Sequence, residues 1–288
     1  LIETRTLGRE ISLSGVGVHS GTEAVLSLKP SSRGKLVFRR GDAAGLEIEV
    51  DPLKVEVKNA VSLVQGTCVV QTIEHLMAAL YVFGIDSLEM ELSGPEVPVL
   101  DGSGAPFARA VLQAGIKPLP RQRRTVRILK AHTLSENGAS LTFSPDPDFR
   151  ISYGIDFAHP LIGRQELSLA LTQKAFLEGI APARTFGFLK DVPELARRGL
   201  AKGGTLENAV VLDDKGVISG PLRYPDEFVR HKILDLIGDL ALFGYPLMGH
   251  FQAERAGHRL HLKAVRFLLS NPEFWTFDRS AFPSHLRG

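Results

Sequence analysis

Two hexapeptides of this chain, Leu80-Tyr81-Val82-Phe83-Gly84-Ile85 and Leu240-Ala241-Leu242-Phe243-Gly244-Tyr245, agree at Leu, Phe and Gly with an offset of 160 residues (240 minus 80). Each reads as the last turn of an apolar helix stopped by glycine, the residue that most readily takes the left-handed conformation that closes a helix. A helix end repeated at this interval constrains the 288 residues to two related halves, each with a sheet to cover its helix.

The flanking segments repeat one plan. In the first half, alternating Ile11 to Ser14, Ala24 to Leu28 and Leu36 to Phe38 read as strands. A helix from Thr72 to Phe83, a strand from Ser87 to Leu92, a Gly/Pro loop from Ser93 to Gly104 and a helix from Ala105 to Ala114 follow. In the second half, strands are expected at Thr125 to Leu129, Ser140 to Phe143 and Ile151 to Phe157. They precede a helix from Asp226 to Phe243, a strand from Met248 to Ala253 and a helix from Leu260 to Leu269. Gly115 to Arg124, with Pro118 and Pro120, is the linker candidate. The expected class is α+β: two related domains, 1–118 and 124–288, each a layered sheet-and-helix sandwich, with the active site between them. The second half also carries material without a counterpart in the first, an inserted apolar segment at about 188–211. There Phe188, Leu189, Val192, Leu195, Leu200 and Leu206 are interleaved with Gly199, Gly203 and Gly204. It reads either as a surface subdomain with a small core or as a wall for an apolar ligand.

Within the second long helix, His231, Asp235 and Asp239 stand at successive i, i+4 positions and project from one face. Ile233, Leu236, Ile237 and Leu240 form an apolar stripe that can anchor that face against a core. On spacing alone, a His and an Asp at i, i+4 fit a surface hydrogen-bonded pair as well as a pair of metal ligands. The repeat changes the balance, because the 160-residue offset sets His75 opposite Asp235. One ligand from the same position of each helix would put a metal between the halves. His75, His231 and Asp235 make the two-His, one-carboxylate set of a catalytic zinc site with a position left for water, and Glu74 beside His75 suits a proton acceptor.

Composition excludes several classes. With 34 basic and 32 acidic residues the net charge is +2, too small a field to point to nucleic acid, and Arg121-Gln122-Arg123-Arg124 reads as a solvated linker. The one cysteine, Cys68, excludes an internal disulfide framework and fits a reducing, cytoplasmic setting. No run approaches ~20 apolar residues, so no transmembrane segment is expected. The tail from Phe277 to Gly288 reads as either frayed or regulatory.

Six segments, in order, resemble the UDP-3-O-acyl-N-acetylglucosamine deacetylases, metal-dependent amidases of lipid A synthesis. They are Gly15-Val16-Gly17-Val18-His19-Ser20-Gly21, Thr72-Ile73-Glu74-His75-Leu76, Glu96-Val97-Pro98-Val99-Leu100-Asp101-Gly102-Ser103, Ala183-Arg184-Thr185-Phe186-Gly187-Phe188, Gly199 to Asn208, and Arg230-His231-Lys232 through Asp239 followed by Gly257-His258. The resemblance spans nearly the whole chain. Val18, Ser20 and Ile73 depart from the residues more common at those places, and none is a ligand candidate.

The resemblance implies that His75, His231 and Asp235 bind zinc, or ferrous iron in the cell, and that Glu74 is the general base. It implies that His258, oriented by Asp239, stabilises the oxyanion and protonates the leaving amine, and that Thr185 donates to the oxyanion. Lys232 would touch substrate oxygens, Phe186 would pack on the sugar, and His19 would contact substrate from the glycine-rich turn. Phe188, Leu200 and Leu206 would line a groove for the acyl chain. The implied reaction is hydrolysis of the N-acetyl group of a UDP-linked, 3-O-acylated glucosamine by a monomer, an early committed step. Two rivals stand beside it: a metallo-amidase for another acylated sugar, and a nonenzymatic nucleotide-sugar or lipid binder, which has no need of a base beside a metal ligand.

Overall fold

Period-two alternation lays down the sheets. In the strand Glu23–Pro30, Ala24, Leu26 and Leu28 are buried while Val25 faces solvent. The structure, a computed structural model, describes residues 2–41, 46–57, 60–278 and 283–286. In the first half, five strands lie in the order Ile11–Val16, Glu23–Pro30, Leu88–Leu92, Leu36–Arg40, Glu47–Glu49. In the second half the order is His132–Glu136, Ala139–Ser144, Leu247–Glu254, Phe149–Phe157, Gly163–Ala170. Each central strand comes directly after the long helix of its half. It runs antiparallel to one neighbour and parallel to the other. The repeat seen in two hexapeptides is therefore a repeat of topology.

The helices follow for local reasons. Glu74–Phe83 ends at Gly84, which takes φ 68° and donates its N–H to the Leu80 and Tyr81 carbonyls, closing the orphan acceptors of the last turn. Ala105–Ala114 matches its expected span, and Glu227–Ala241 is slightly shorter than expected. The last long helix starts at His258 and runs to Ser270, two residues earlier than the apolar periodicity indicates. Glu74–Phe83 and Glu227–Ala241 pack on each other at the centre of the molecule. Every residue of the first is buried, so the polar positions of both helices lie between layers rather than on a wet face. Leu76, Leu80 and Phe83 are wholly buried, each contributing ~1.5–3 kcal/mol, which offsets the desolvation of Glu74 and His75 on the same helix.

Three expectations are corrected. Gly115 to Arg124 is not a slack connector: Ile116–Arg123 is a strand paired antiparallel with Ile2–Leu7. Its prolines are tolerated because a two-stranded ribbon has open edges. The inserted segment does have a counterpart. Between the fifth strand and the long helix, the first half carries the three-stranded sheet Val55–Val57, Val61–Gln65, Cys68–Gln71. At the same place the second half carries the parallel pair Phe186–Phe188 and Val210–Leu212, with a short helix Val192–Arg197 between them. The described part of the tail is not frayed. Trp275–Asp278 pairs with Thr125–Ile128, and His285 and Leu286 are wholly buried, while 279–282 and 287–288 lie outside the described residues. The two halves pack through a shared apolar core, from Phe38 and Leu76 to Phe149 and Leu236.

Candidate metal centre

The start of the Glu74–Phe83 helix and the body of the Glu227–Ala241 helix converge on one buried point. His75 Nε2 lies 3.5 Å from Asp235 Oδ1 and His231 Nε2 lies 3.3 Å from the same oxygen. The two rings meet edge to face at 4.9 Å. A tetrahedral zinc site with ~2.0–2.1 Å bonds has ligand–ligand edges of ~3.3–3.4 Å, so the separations fit an ion. The protonation states fit as well. Burial pushes His231 down to about 4, against the pull of Asp235, leaving a neutral ring. Its Nδ1–H donates to the Ala183 carbonyl at 3.1 Å, which leaves the Nε2 lone pair for a metal. Burial acts to raise Asp235, but His231, Lys232 and His258 override it and hold the carboxylate well below its usual range. Lys232 Nζ donates to Asp235 Oδ2 at 2.8 Å and lies over the Phe186 ring, so it steadies the carboxylate through the oxygen that His75 and His231 do not face.

Glu74 precedes His75 on the helix and points elsewhere. Its Oε1 is 3.8 Å from His258 Nε2, and its Oε2 is buried with no partner among the described residues. Burial raises its pKa against the charges of His258 and His75, toward the range of a working base. Burial would likewise depress His258, but Asp239, Asp235 and Glu74 outweigh it and raise the imidazole to about 9. His258 Nδ1 donates to Asp239 Oδ2 at 2.7 Å, so its other N–H is directed between Glu74 and Asp235, 3.8 Å from each.

A second cluster, Asp239, His258 and His261, has the residue types of a metal site and not its dimensions. Both imidazole Nδ1 atoms lie 2.7 Å from one Asp239 oxygen. That is a hydrogen-bond length, far inside a ~3.3 Å ligand edge.

The loops are fixed by two buried carboxylates absent from the ligand arithmetic. Glu96, wholly buried, accepts from the backbone N–H of His19 and Ser20 and from Thr72 Oγ1 at 2.6 Å. Thr72 holds φ 59°, a strained conformation for a β-branched residue, two positions before Glu74. Glu96 thus ties the glycine-rich turn to the start of the metal helix. Gly17 is obligatory in that turn, since a Cβ would collide with the Glu96 carboxylate and Ser20 Oγ. Glu227, also wholly buried, accepts from Arg184 N and Nε at 3.0 and 2.8 Å and from Arg223 N at 2.7 Å. It locks the Ala183 to Phe188 segment onto the helix that carries His231.

The structure therefore brings His75, His231, Asp235, Glu74, His258, Asp239 and Lys232 together. Thr185 lies two residues beyond the carbonyl that orients His231, with its N–H bonded to Gly102 O at 2.8 Å. Phe186 packs edge-on against Phe228 at 5.0 Å and faces His231 at 6.3 Å, while Phe188 packs on Phe157 and His159. No hydrogen bond or ion pair of the described residues joins His19 to the ligands; it reaches them through Glu96. The inserted segment lies along the same turn, with Lys202 and Gly203 donating to the His19 and Val18 carbonyls. Leu200 is half-buried there and Leu206 is 50% exposed, open to solvent or to a ligand.

Sequence reasoning missed His261, Tyr153, Glu96 and Glu227. His261 had a usable signal, the i, i+3 spacing from His258, hidden because the helix was expected to begin at Leu260.

Comparison with known proteins agrees with this geometry. Residues 4–270 match the LpxC family, UDP-3-O-acyl N-acetylglycosamine deacetylase. The UDP-3-O-acyl-N-acetylglucosamine deacetylase of Myxococcus xanthus is 45% identical, covering 93% of this chain and 87% of that protein. Those of Thermodesulfovibrio yellowstonii and Citrifermentans bemidjiense are each 43% identical, covering 92% and 96% of this chain and 91% and 92% of theirs. With the match running through both halves and every segment that builds the metal centre, the chain belongs to the UDP-3-O-acyl-N-acetylglucosamine deacetylase family.

Proposed function

We propose that this chain hydrolyses the N-acetyl group of UDP-3-O-acyl-N-acetylglucosamine, giving acetate and the free amine, with zinc held by His75, His231 and Asp235. The observation that carries the reading is the convergence of three ligand atoms, with both histidine nitrogens 3.3–3.5 Å from one Asp235 oxygen, beside a buried carboxylate oxygen without a hydrogen-bond partner among the described residues. A zinc ion held there supplies Lewis acidity to polarise the amide and acidify a water, and ferrous iron would serve the same donors.

The chain's own residues then divide the work. Glu74, with Oε2 free of partners, takes the proton of the attacking water. His258, cationic and braced by Asp239, stabilises the developing oxyanion and delivers a proton to the amine, a poor leaving group until protonated. Thr185 donates to the oxyanion, a contact of a kind worth ~3 kcal/mol in the barrier. Lys232 contacts substrate oxygens next to Asp235, Phe186 packs on the sugar, and His19 closes the far side. Phe188, Leu200 and Leu206 take the acyl chain, where ~0.8 kcal/mol per buried methylene makes chain length a strong selector. The site asks for no residue from a second copy, the protein acting as a monomer in this reading, and the single buried thiol of Cys68 supports a reducing, cytoplasmic setting. No described helix is long and apolar enough to cross a membrane.

The test is acetate release from the UDP-linked substrate, with and without its 3-O-acyl chain, by metal-stripped and zinc-restored protein. Activity should depend on zinc and fall sharply without the acyl chain. Full turnover by stripped protein would sink the metal assignment, and indifference to the acyl chain would sink the substrate.

A further inference from the structure

Asp239 makes its hydrogen bonds through a single oxygen. Its Oδ2 is 2.7 Å from His258 Nδ1 and 2.7 Å from His261 Nδ1, while Oδ1 is buried with no partner among the described residues. The carboxylate is held ionised below its usual range, the donors from both histidines and the charge of His258 overriding burial. An ionised carboxylate only accepts, so both imidazoles carry hydrogen on Nδ1. The torsion that swings a carboxylate about its last bond is broad, and one N–H leaves it loose. Two donors meeting one oxygen from different directions do not.

His261 is itself clamped. It is wholly buried, and its Nε2 lies 3.0 Å from the Tyr153 hydroxyl, whose single hydrogen is shared between that lone pair and the Ala256 carbonyl at 2.7 Å. Ala256 precedes Gly257 and His258, so Tyr153 fixes both the His261 ring and the start of the helix that carries the two histidines. His258 and His261 stand at i, i+3 and face the same acceptor. Nothing in the proposed chemistry uses His261 directly: it touches Asp239, Tyr153 and the edge of the His258 ring, and none of its hydrogen bonds reaches Glu74 or a ligand.

We propose that His261 is a positioning residue, whose Nδ1–H, with the ring pinned by Tyr153, holds Asp239 in the one orientation that aims His258 at the reacting centre. The inference rests on the proposed reaction only where turnover is the readout.

The experiment compares His261→Leu, which keeps bulk and removes the donor, with His261→Asn, whose amide N–H stands near the place of Nδ1. His261→Leu should lower kcat by about 10–100-fold, the scale of lost support behind a reacting group, with KM and zinc content unchanged. His261→Asn should restore kcat to within about threefold of wild type. The second readout needs no substrate: in histidine-labelled protein, NMR should show two Nδ1–H protons shielded from exchange. His261→Asn should lose one and keep the other, and in His261→Leu the His258 signal should shift and exchange faster. Equal losses of kcat in folded Asn and Leu variants would overturn the proposal, because packing and not the hydrogen bond would then matter. So would an unmoved His258 resonance in His261→Leu, or a KM that rises as kcat falls. Should His261→Leu fail to fold, His261→Asn decides alone, a tenfold loss in the folded variant refuting the role. A wild type inactive on the UDP-linked substrate would refute the proposed function and leave the NMR comparison intact.

Discussion

Gly238 sits in the last turn of the Glu227–Ala241 helix, where glycine costs up to ~1 kcal/mol relative to alanine. Replacing it with alanine should therefore stabilise the helix, and the surroundings reverse that expectation. A Cβ at Gly238 would lie 2.8 Å from the Glu74 carbonyl carbon and 3.1 Å from its Cα, and closer still to the carbonyl oxygen. Restoring ordinary contact of 3.4 Å to the carbon alone moves the helices at least 0.6 Å apart (2.8 to 3.4 Å), and the oxygen demands more. The obstacle is backbone on a buried helix, which cannot swing aside as a side-chain tip can. Overpacking of this kind costs ~1–3 kcal/mol. Set against the ~1 kcal/mol helix gain, the net loss is at most ~2 kcal/mol, and the protein should still fold.

The metal centre is less forgiving. His75 moves with Glu74, so its separation from Asp235 widens from 3.5 Å, which is close to the ~3.3–3.4 Å edge of a tetrahedral site, by a similar amount and well beyond that edge. A misplacement of ~1 Å in a catalytic group can cost ~100-fold in rate. Gly238→Ala should thus lose zinc affinity by about 10–100-fold and most of kcat, with only a small fall in melting temperature. The assay is chelator competition for zinc, read beside thermal unfolding and acetate release. Gly244→Ala is the control: Gly244 has φ 83° and nothing within 4 Å of a Cβ. It should cost ~1 kcal/mol of backbone strain and leave zinc affinity alone. If Gly238→Ala binds zinc and turns over like wild type, the close approach of the helices has no bearing on the site and the reasoning fails.

Glu74→Gln should retain the metal and lower kcat by ~100-fold or more, whereas His231→Ala should lose metal and activity together; metal analysis beside kinetics checks both. Activity should fall as pH rises toward the His258 value of about 9, somewhat lower with a cation on Asp235, because the protonated ring is the working form. Asp239→Asn removes the largest charge that raises His258, so the alkaline limb should move to lower pH, and an unmoved limb would contradict the assignment. Burial, with Arg123 and Arg5 adding to it, lowers His285 to about 3, against ~6.5 unfolded. A neutral ring therefore stabilises the docked tail above pH ~6.5, and up to ~5 kcal/mol is lost as pH falls through that interval. The protection of amides 284–286, taken relative to the intrinsic exchange rate at each pH, should fall between pH 7 and 4.5, and His285→Phe should abolish the effect; equal protection at both pH values would refute it. Leu200→Asp should erase most of the preference for acylated over non-acylated substrate without changing zinc content, and an equal effect on both would remove the segment from acyl recognition.

What could be read from the residues was whatever repeats locally. The glycine stop at Gly84, the alternation of Glu23–Pro30 and the i, i+4 row of His231, Asp235 and Asp239 are properties of a few consecutive residues, and all three stand in the structure. What was lost depends on distant partners. Ile116–Arg123 is exposed almost throughout and has no alternation to detect, so only its pairing with Ile2–Leu7 makes it a strand. Glu47–Glu49 and Val55–Val57 are three residues each, too short to show a period. The helix at His258 follows an extended Gly257 and has no capping side chain, so its start carried no signal, and His261 was missed with it.

The depth of the polar row was the harder matter, since spacing places His231, Asp235 and Asp239 on one face without saying what covers that face. The cover is the other copy of the same helix, and the repeat held the clue. The 160-residue offset that matches His75 to Asp235 also matches Ala78 to Gly238, both buried and both among the smallest residues. Small residues at corresponding places let two helices cross closely enough for ligands from both to share one ion, and a glycine inside a strong helical pattern needs a packing reason. Glu74 against Gly238 is that reason: the helix gives up ~1 kcal/mol of propensity at one position so that a base and a ligand from one half can meet two ligands from the other.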